Sequence, residues 1–114
     1  MQSMITLLAR FEMTKGKELQ AMAAFQTMAK AMKDNEPGCL MFAVTRGQVN
    51  AQEVYLYEIY KDQASLDAHR KTDHLQTFRK ASEECLDRGA FNVEILDEVG
   101  GFIREPVAEM ASQM

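Results

Sequence analysis

The order of strand-like and helix-like segments constrains the fold of this chain more than any other feature of its sequence. Four segments have the alternation or the β-branched and aromatic content that is typical of strands: residues 4–13, 39–47, 54–61 and 91–103. Residues 17–33 contain no proline, glycine or valine and many alanines and methionines, which predicts a long helix. A second helical region is expected between the third and fourth strands.

This order, β-α-β-β-α-β, predicts an α+β fold of the ferredoxin-like type, with the first and third strands as neighbours at the centre of one sheet. Both helices then cover one face of the sheet, and the other face needs a different cover. A second copy of the chain would bury that face, so we expect a homodimer. We assign residues 1–103 to this domain and residues 104–114 to a C-terminal tail that either forms a short amphipathic helix or frays.

Local signals indicate where the helices begin and end. Thr14 is positioned to cap the first helix, and Asp62 is positioned to cap a short helix after the third strand. Thr72 or Asp73 then restarts the helical region. Gly89 is placed to end the last helix before the fourth strand.

Composition bounds the class of protein. The 114 residues are 46% hydrophobic and 26% charged, which fits one globular domain and excludes general disorder. A net charge of −4 provides no basic surface, so we expect no nucleic-acid partner. No apolar run could span a bilayer, no signal-peptide pattern is present, and Cys39 and Cys85 lack zinc-site spacing. We therefore expect a cytoplasmic protein with no membrane partner and no bound metal.

The titratable chemistry is concentrated in residues 53–78, which hold both histidines and all three tyrosines. His69 is the best candidate for a catalytic group, because imidazole exchanges protons near neutral pH. The alternative is a helix-end histidine that only satisfies a backbone carbonyl. His74 could hydrogen-bond a ligand from the first turn of a helix, or it could simply organise the loop before it.

Alternation along the third strand assigns its polar residues to opposite faces. Glu58 could be a general base with a raised pKa, but we favour a buried ion pair with Arg10 on the dimer face. Tyr57 then points toward the helices, where it could orient a substrate oxygen or simply fill the core. Arg79 is the cation available to an anionic ligand, or else a solvated helix arginine.

Three runs of sequence carry a resemblance to a known family: ARFEMTKGKE at 9–18, EPGCL at 36–40 and YEIYKDQASLDAHRKTDHLQTF at 57–78. Together they resemble the antibiotic biosynthesis monooxygenase domain family across residues 4–100. The resemblance implies a dimeric α+β barrel with a ligand pocket between the sheet and the helices of each subunit. It leaves the activity open, because the family includes cofactor-independent monooxygenases of phenols or quinols, haem-degrading enzymes and an isomerase of a phosphorylated autoinducer-2 derivative.

The resemblance also implies which residues line the pocket. The catalytic Asn, Trp and axial His of the haem-degrading branch would fall on Ala9, His69 and Arg79, and the chain contains no Trp. Haem degradation is therefore not expected. The same three positions are implied to face the pocket, and Phe11 and Phe78 are assigned to the substrate-binding wall beside them.

Three functions follow as hypotheses. The first is a cofactor-independent monooxygenase of a small aromatic such as a quinol or polyphenol, with His69 and Tyr57 forming the phenolate and His74 assisting. Because an electron-rich phenolate can itself reduce O2, no metal, flavin or other cofactor is expected. The second is an isomerase of a small phosphorylated sugar-like ketone, with both histidines exchanging protons and Arg79 holding the anion. The third is a non-enzymatic binder of small apolar ligands.

Overall fold

The computed structural model describes residues 4–102 and residue 104. The elements follow in the order β1 (Ile5–Met13), α1 (Glu18–Asn35), β2 (Cys39–Arg46), β3 (Glu53–Tyr60), α2 (Gln63–Arg70), α3 (Asp73–Ser82) and β4 (Leu86–Leu96). The second helical region is therefore two short helices. None of the helices in this part of the chain is long and apolar enough to cross a membrane. The tail predicted at 104–114 lies outside the described residues apart from Arg104.

All four strands form one antiparallel sheet in the order β2-β3-β1-β4, which confirms the ferredoxin-like arrangement with β1 and β3 at its centre. The register decides which face each side chain occupies. Leu7 pairs with Glu58, and both lie on the face that the helices cover. Leu8 pairs with Tyr57, so this pair lies on the opposite, outer face.

The core lies between the inner face of the sheet and the helices. α1 buries one stripe at three- and four-residue spacing: Ala21, Phe25, Met28 and Met32. α2 adds Leu66, and α3 adds Leu75 and Phe78. Burying a large apolar side chain stabilises the fold by about 1.5–3 kcal/mol, so this layer holds the short helices against the sheet.

The caps of the two short helices are confirmed, and that of α1 is not. The backbone N–H of Ser65 donates to Asp62 Oδ1 at 2.8 Å, and Thr72 caps α3 in the same way. α1 begins at Glu18, and no side chain caps it. The predicted cap, Thr14, lies in the preceding turn, which the positive φ of Gly16 (88°) makes possible.

The last strand begins earlier than predicted, at Leu86 instead of Phe91. Its pairing with β1 is irregular between Arg10 and Glu12, where β4 contains extra residues. Gly89 lies in this irregular part of the strand, so the prediction that it ends the last helix is wrong. A glycine is well suited to a bulge because it has no side chain to place.

Candidate functional site

A cavity of about 430 Å³ opens between the sheet and helices α2 and α3. Small-molecule sites span about 300–1,000 Å³, so the volume suits a compact organic ligand. Apolar side chains form most of its wall: Leu7, Ala9, Phe11, Phe42, Leu56, Leu66, Leu75 and Phe78. The polar groups are fewer and include Glu58, His69 and three arginines, Arg70, Arg79 and Arg88.

Aromatic rings line one side of this cavity. The ring centroid of Phe11 lies 6.3 Å from that of Phe78 and 4.9 Å from that of Phe91. Phe25 packs behind Phe11 and Phe78 with centroid distances of 5.3 and 5.0 Å. Ala9 is small, so the middle of the sheet leaves room in front of these rings. The wall therefore suits a planar aromatic ligand, which can stack on a face or an edge of the rings.

His69 lies near the C-terminal end of α2 with only 7% of its surface exposed, and it lines the cavity. Its Nδ1 is 3.0 Å from Glu36 Oε1 and 3.1 Å from Oε2. An ionised carboxylate only accepts hydrogen bonds, so Nδ1 carries the hydrogen and Nε2 is left as the basic nitrogen. No group among the described residues forms a hydrogen bond with Nε2 of His69. Every fully buried polar side-chain atom of these residues does have a hydrogen-bond partner, so Nε2 is not fully buried and is accessible.

Glu36, which follows the last residue of α1, is the functional candidate that the sequence did not reveal. Pro37 ends the helix there, and two backbone bonds fix the turn: Cys39 N–H to the Glu36 carbonyl and Lys61 N–H to the Gly38 carbonyl. A side chain at Gly38 would collide with Ser65 of α2, so only glycine lets the turn approach this helix. The turn thereby brings the carboxylate, 8% exposed, to His69.

Glu58 is a second carboxylate at the cavity wall, and it is 6% exposed. Burial raises its pKa, while the hydroxyl of Tyr60, which donates to Oε1 at 2.6 Å, opposes that rise. The same burial, together with the charge of Glu58, raises the pKa of Tyr60. A carboxyl group with a raised pKa can hold a proton beside a substrate, which an ordinary surface carboxylate cannot do near neutral pH.

The predicted faces of Tyr57 and Glu58 are reversed, whereas Arg10 lies on the outer face as predicted but with a different partner. Tyr57 lies on the outer face, 38% exposed, and does not line the cavity. Glu58 lies on the inner face, so it cannot pair with Arg10. The guanidinium of Arg10 instead donates to Glu53 Oε1 at 2.6 Å, and this bond lowers the pKa of Glu53.

The remaining predicted site residues divide between two cavities. Ala9, Phe11, Phe78 and Arg79 line the first cavity, as expected from the resemblance. His74 does not line it. His74 faces a second cavity of about 380 Å³ between α1 and α3, and its Nε2 forms a short hydrogen bond with Glu36 Oε2. Glu36 therefore bonds to both histidines.

These three side chains also form a donor set of the kind that binds divalent metals. One nitrogen from each histidine and the Glu36 carboxylate lie within 4.8 Å of one another, and two imidazoles with a carboxylate suit zinc and its neighbours. The donors of a tetrahedral zinc site stand about 3.3 Å apart around the ion. Both imidazoles here contact the carboxylate directly at shorter separations, which is the geometry of a hydrogen-bonded triad.

The structure is therefore an α+β domain in which an antiparallel sheet, with its helices on one face, borders an apolar cavity that holds a carboxylate-bound histidine. The sequence profile of the antibiotic biosynthesis monooxygenase family matches residues 4–81. The match spans more than half of the chain, and the chain belongs to this family. No curated protein sequence matches it.

Solved structures share the fold. A proposed antibiotic biosynthesis monooxygenase from Caulobacter crescentus is 29% identical with a TM-score of 0.81, over 87% of this chain and 92% of that one. A second such protein, from Nitrosomonas europaea, is 19% identical with a TM-score of 0.79, over 87% and 93% of the chains. Rv0793 from Mycobacterium tuberculosis is 24% identical with a TM-score of 0.77, over 87% and 98%. The last two likenesses show the fold alone.

Proposed function

We propose that this protein is a cofactor-independent monooxygenase of a small aromatic compound such as a quinol or polyphenol. The observation that carries the proposal is His69, a buried imidazole at the wall of an aromatic-lined cavity, with Nδ1 held by Glu36 and Nε2 accessible. A carboxylate behind an imidazole fixes the tautomer and stabilises the imidazolium that forms when the other nitrogen takes a proton. Membership of the monooxygenase family supports the same reaction class.

In the proposed reaction a quinol and O2 give a hydroxyquinone and water. His69 takes the phenolic proton, and the phenolate gives O2 one electron before the two radicals combine at a ring carbon to form a peroxide anion. The peroxide takes a proton, the same carbon loses its hydrogen as a proton, and cleavage of the O–O bond releases water. The substrate supplies all four electrons that O2 accepts, so the reaction as written requires no other reductant.

The two carboxyl groups of the site serve different roles in this scheme. Glu36 stays behind His69 and contacts no ligand, because it does not line the cavity. Glu58 does line the cavity, and burial raises the pKa of its carboxyl group. Glu58 is therefore the group that we assign to return a proton to the departing oxygen.

The test is oxygen consumption with simple quinols, using His69→Gln as the variant. A general base contributes about 100-fold to 10,000-fold, so the variant should lose at least about 100-fold in kcat/KM. One atom of labelled O2 should enter each product molecule. Asp67→Asn, which removes an exposed carboxylate two residues away on α2, is the matched control and should keep full activity. Turnover that continues without O2 contradicts the proposal.

One observation favours a second candidate, an isomerase of a small phosphorylated ketone. Arg70, Arg79 and Arg88 line the same cavity, and an arginine fork suits a phosphate. An assay without O2 distinguishes the two reactions, because isomerisation of a ketone by proton exchange consumes no O2. The sequence predicts His74 as the second proton carrier of this reaction. His74 does not line the cavity, so Glu58 takes that place here.

We also propose that the protein is a homodimer that pairs the outer faces of two sheets. Members of the family are often dimeric. The exposed ring of Tyr57 and the half-buried side chain of Leu8 lie side by side at the centre of this face. Exposed apolar surface on a central strand pair is costly in water, and a second copy offers the same surface in return.

A further inference from the structure

The substrate cavity has two chemically different parts. Its wall is largely apolar and holds His69, but three exposed arginines also line it: Arg70, Arg79 and Arg88. A side chain that lines a cavity and is also exposed lies at the opening, so these three form an arginine rim. We infer that the rim binds an anionic group of the substrate, which is an aromatic acid, a phenol or quinol that carries a carboxylate. The inference deepens the proposed function and rests on it, because the hydroxyl end of this ligand meets His69.

Arg79 lies on the cavity side of α3. Leu75, Arg79 and Ser82 all line the cavity, and their four- and three-residue spacing places them on one face of the helix. An arginine can lay its apolar stem along such a wall and keep its charged end in water. Among the residues that the structure describes, Arg79 forms no ion pair, so its guanidinium is free to bind a ligand. The next residue, Lys80, is exposed and does not line the cavity.

The other two arginines of the rim have only loose ion pairs. Arg70 Nη1 lies 3.8 Å from Asp67 Oδ1, and Arg88 Nη2 lies 3.7 Å from Glu83 Oε1. The two arginine side chains are 51% and 63% exposed, so these pairs contribute little and a ligand anion can replace them. Arg88 is nevertheless held in place, because its Nη2 donates to the backbone carbonyl of Arg79 at 3.2 Å. This bond keeps the Arg88 guanidinium beside the last turn of α3, which carries Arg79.

The charge at this opening is opposite to that of the whole chain. The chain has a net charge of −4, yet three arginines line one cavity. Within the described residues, the carboxyl groups that line it are those of Asp87 and Glu58. Asp87 Oδ1 accepts a hydrogen bond from the Gly89 N–H at 2.9 Å, and Glu58 Oε1 accepts one from the hydroxyl of Tyr60. Positive charge at the mouth of an apolar cavity attracts anions from solution, so the rim favours an acidic ligand.

The wall of the cavity distinguishes an aromatic acid from a sugar phosphate. Phe11, Phe78 and Phe91 contribute rings to the wall. The hydroxyl groups of a sugar phosphate would face this surface without hydrogen-bond partners, which costs free energy. A planar aromatic ring stacks on such a wall, and a guanidinium binds a carboxylate through two parallel N–H donors. A ligand with a ring inside and a carboxylate at the rim therefore matches both parts of the cavity.

The experiment is a calorimetric titration of the intact protein with two ligands that have the same ring and differ in charge. Gentisate is a hydroquinone that carries one carboxylate, and gentisamide is its neutral amide. Binding is measured without O2 so that neither ligand is consumed. The protein should bind gentisate at least about 10-fold more tightly than gentisamide, as expected for charge-assisted hydrogen bonds. This preference should decrease as the salt concentration rises, because salt screens exposed charges.

Variants of the rim identify the residues that carry this preference. In R79Q the ratio of the two affinities should fall at least about 3-fold, and in R79Q/R88Q the preference for gentisate should disappear. The ratio separates the loss of charge recognition from any loss of packing, because packing affects both ligands. K80Q removes the same charge from the adjacent position outside the cavity and should keep the native ratio. Under turnover, the loss in R79Q should appear mainly in the KM for gentisate.

Four results would overturn the inference. The first is that gentisate binds no more tightly than gentisamide or does not bind, and the second is a preference that R79Q/R88Q keeps. The third is an equal loss of preference in K80Q, which would mean that general surface charge attracts the acid. The fourth is tighter binding of glycerol phosphate than of gentisate, which would indicate a phosphate site. Failure of the proposed function looks different: gentisate binds through the rim, but no O2 is consumed.

Discussion

At the scale of single residues, Glu58 couples the stability of the fold to pH. Its pKa is raised above the ordinary value of 4.5 by burial, so the folded protein favours the protonated form. The contribution of Glu58 to stability is therefore greatest below pH 4.5 and is lost as the pH rises through the higher folded value, because the unfolded chain ionises first.

Glu58→Gln should remove this dependence, since its amide is neutral at every pH and can still accept a hydrogen bond from Tyr60. The free energy of unfolding, measured with urea, should exceed that of the native protein at pH 8, and the gain should vanish near pH 4. Tyr60→Phe should steepen the loss, because the Tyr60 hydroxyl is what lowers the pKa of Glu58. A difference that is constant across pH would contradict the assignment.

Residue identity predicted part of the site and missed the rest for a definite reason. His69 stands out in any sequence because only imidazole titrates near neutral pH. Glu36 is one of many acidic residues, and its place before Pro37 and Gly38 is also an ordinary end of a helix. Only when the turn packs against α2 does the Glu36 carboxylate reach His69, and the sequence around Glu36 does not show that contact.

At the scale of elements, the Asp62 cap stabilises α2, the helix that carries His69. Asp62→Ala removes the hydrogen bond from Ser65 N–H at 2.8 Å and should lower the free energy of unfolding by about 1 kcal/mol. The hydrogen bonds from Ser65 lower the pKa of Asp62, so the difference is present above its ordinary value of 3.8 and is lost as the pH falls further. Urea unfolding at pH 7 and pH 3 measures both.

The control for this cap is Asp67→Ala on the same helix, where the carboxylate is exposed. Its change should stay within about 0.5 kcal/mol. An equal loss in both variants would mean that general helix charge, and not the cap, stabilises α2.

Elements also show why the faces of β3 were assigned wrongly. Alternation along residues 53–60 separates Tyr57 from Glu58, but the pattern is symmetric and does not say which set faces the helices. The expected ion pair between Glu58 and Arg10 favoured the outer face for Glu58, and that prediction is wrong. The true partner of Arg10 is Glu53, at the opposite end of β3 from Glu58. The hydroxyl of Tyr55 also donates to Glu53, at 2.5 Å.

At the scale of the whole molecule, the order of elements was sufficient to predict the fold. The β-α-β-β-α-β arrangement is consistent with the caps at Asp62 and Thr72 and with the periodic helix at 17–33. The sequence runs that occur in matching order also identify the family. The boundaries of β4 were not predictable, because its start depends on pairing with the end of β1 and not on its own sequence.

The proposed dimer gives a test at this scale. Tyr57→Asp places a charge at the centre of the outer face and should shift the protein toward monomer in sedimentation or light scattering, with its helix content unchanged. Val49→Asp is the matched control, because Val49 is exposed in the loop between β2 and β3, away from the sheet. Monomer in the native protein, or the same mass in Tyr57→Asp, argues against pairing through this face.

The bonds from Glu36 to the histidines span 33 and 38 residues of sequence. They join the end of α1 to α2 and α3, so the oriented base exists only after the sheet has brought all three helices together. Under the proposed function, a nascent or partly folded copy would hold the same side chains but could not form a phenolate beside O2. Radicals and peroxides would then arise only in molecules that have finished folding and can enclose them.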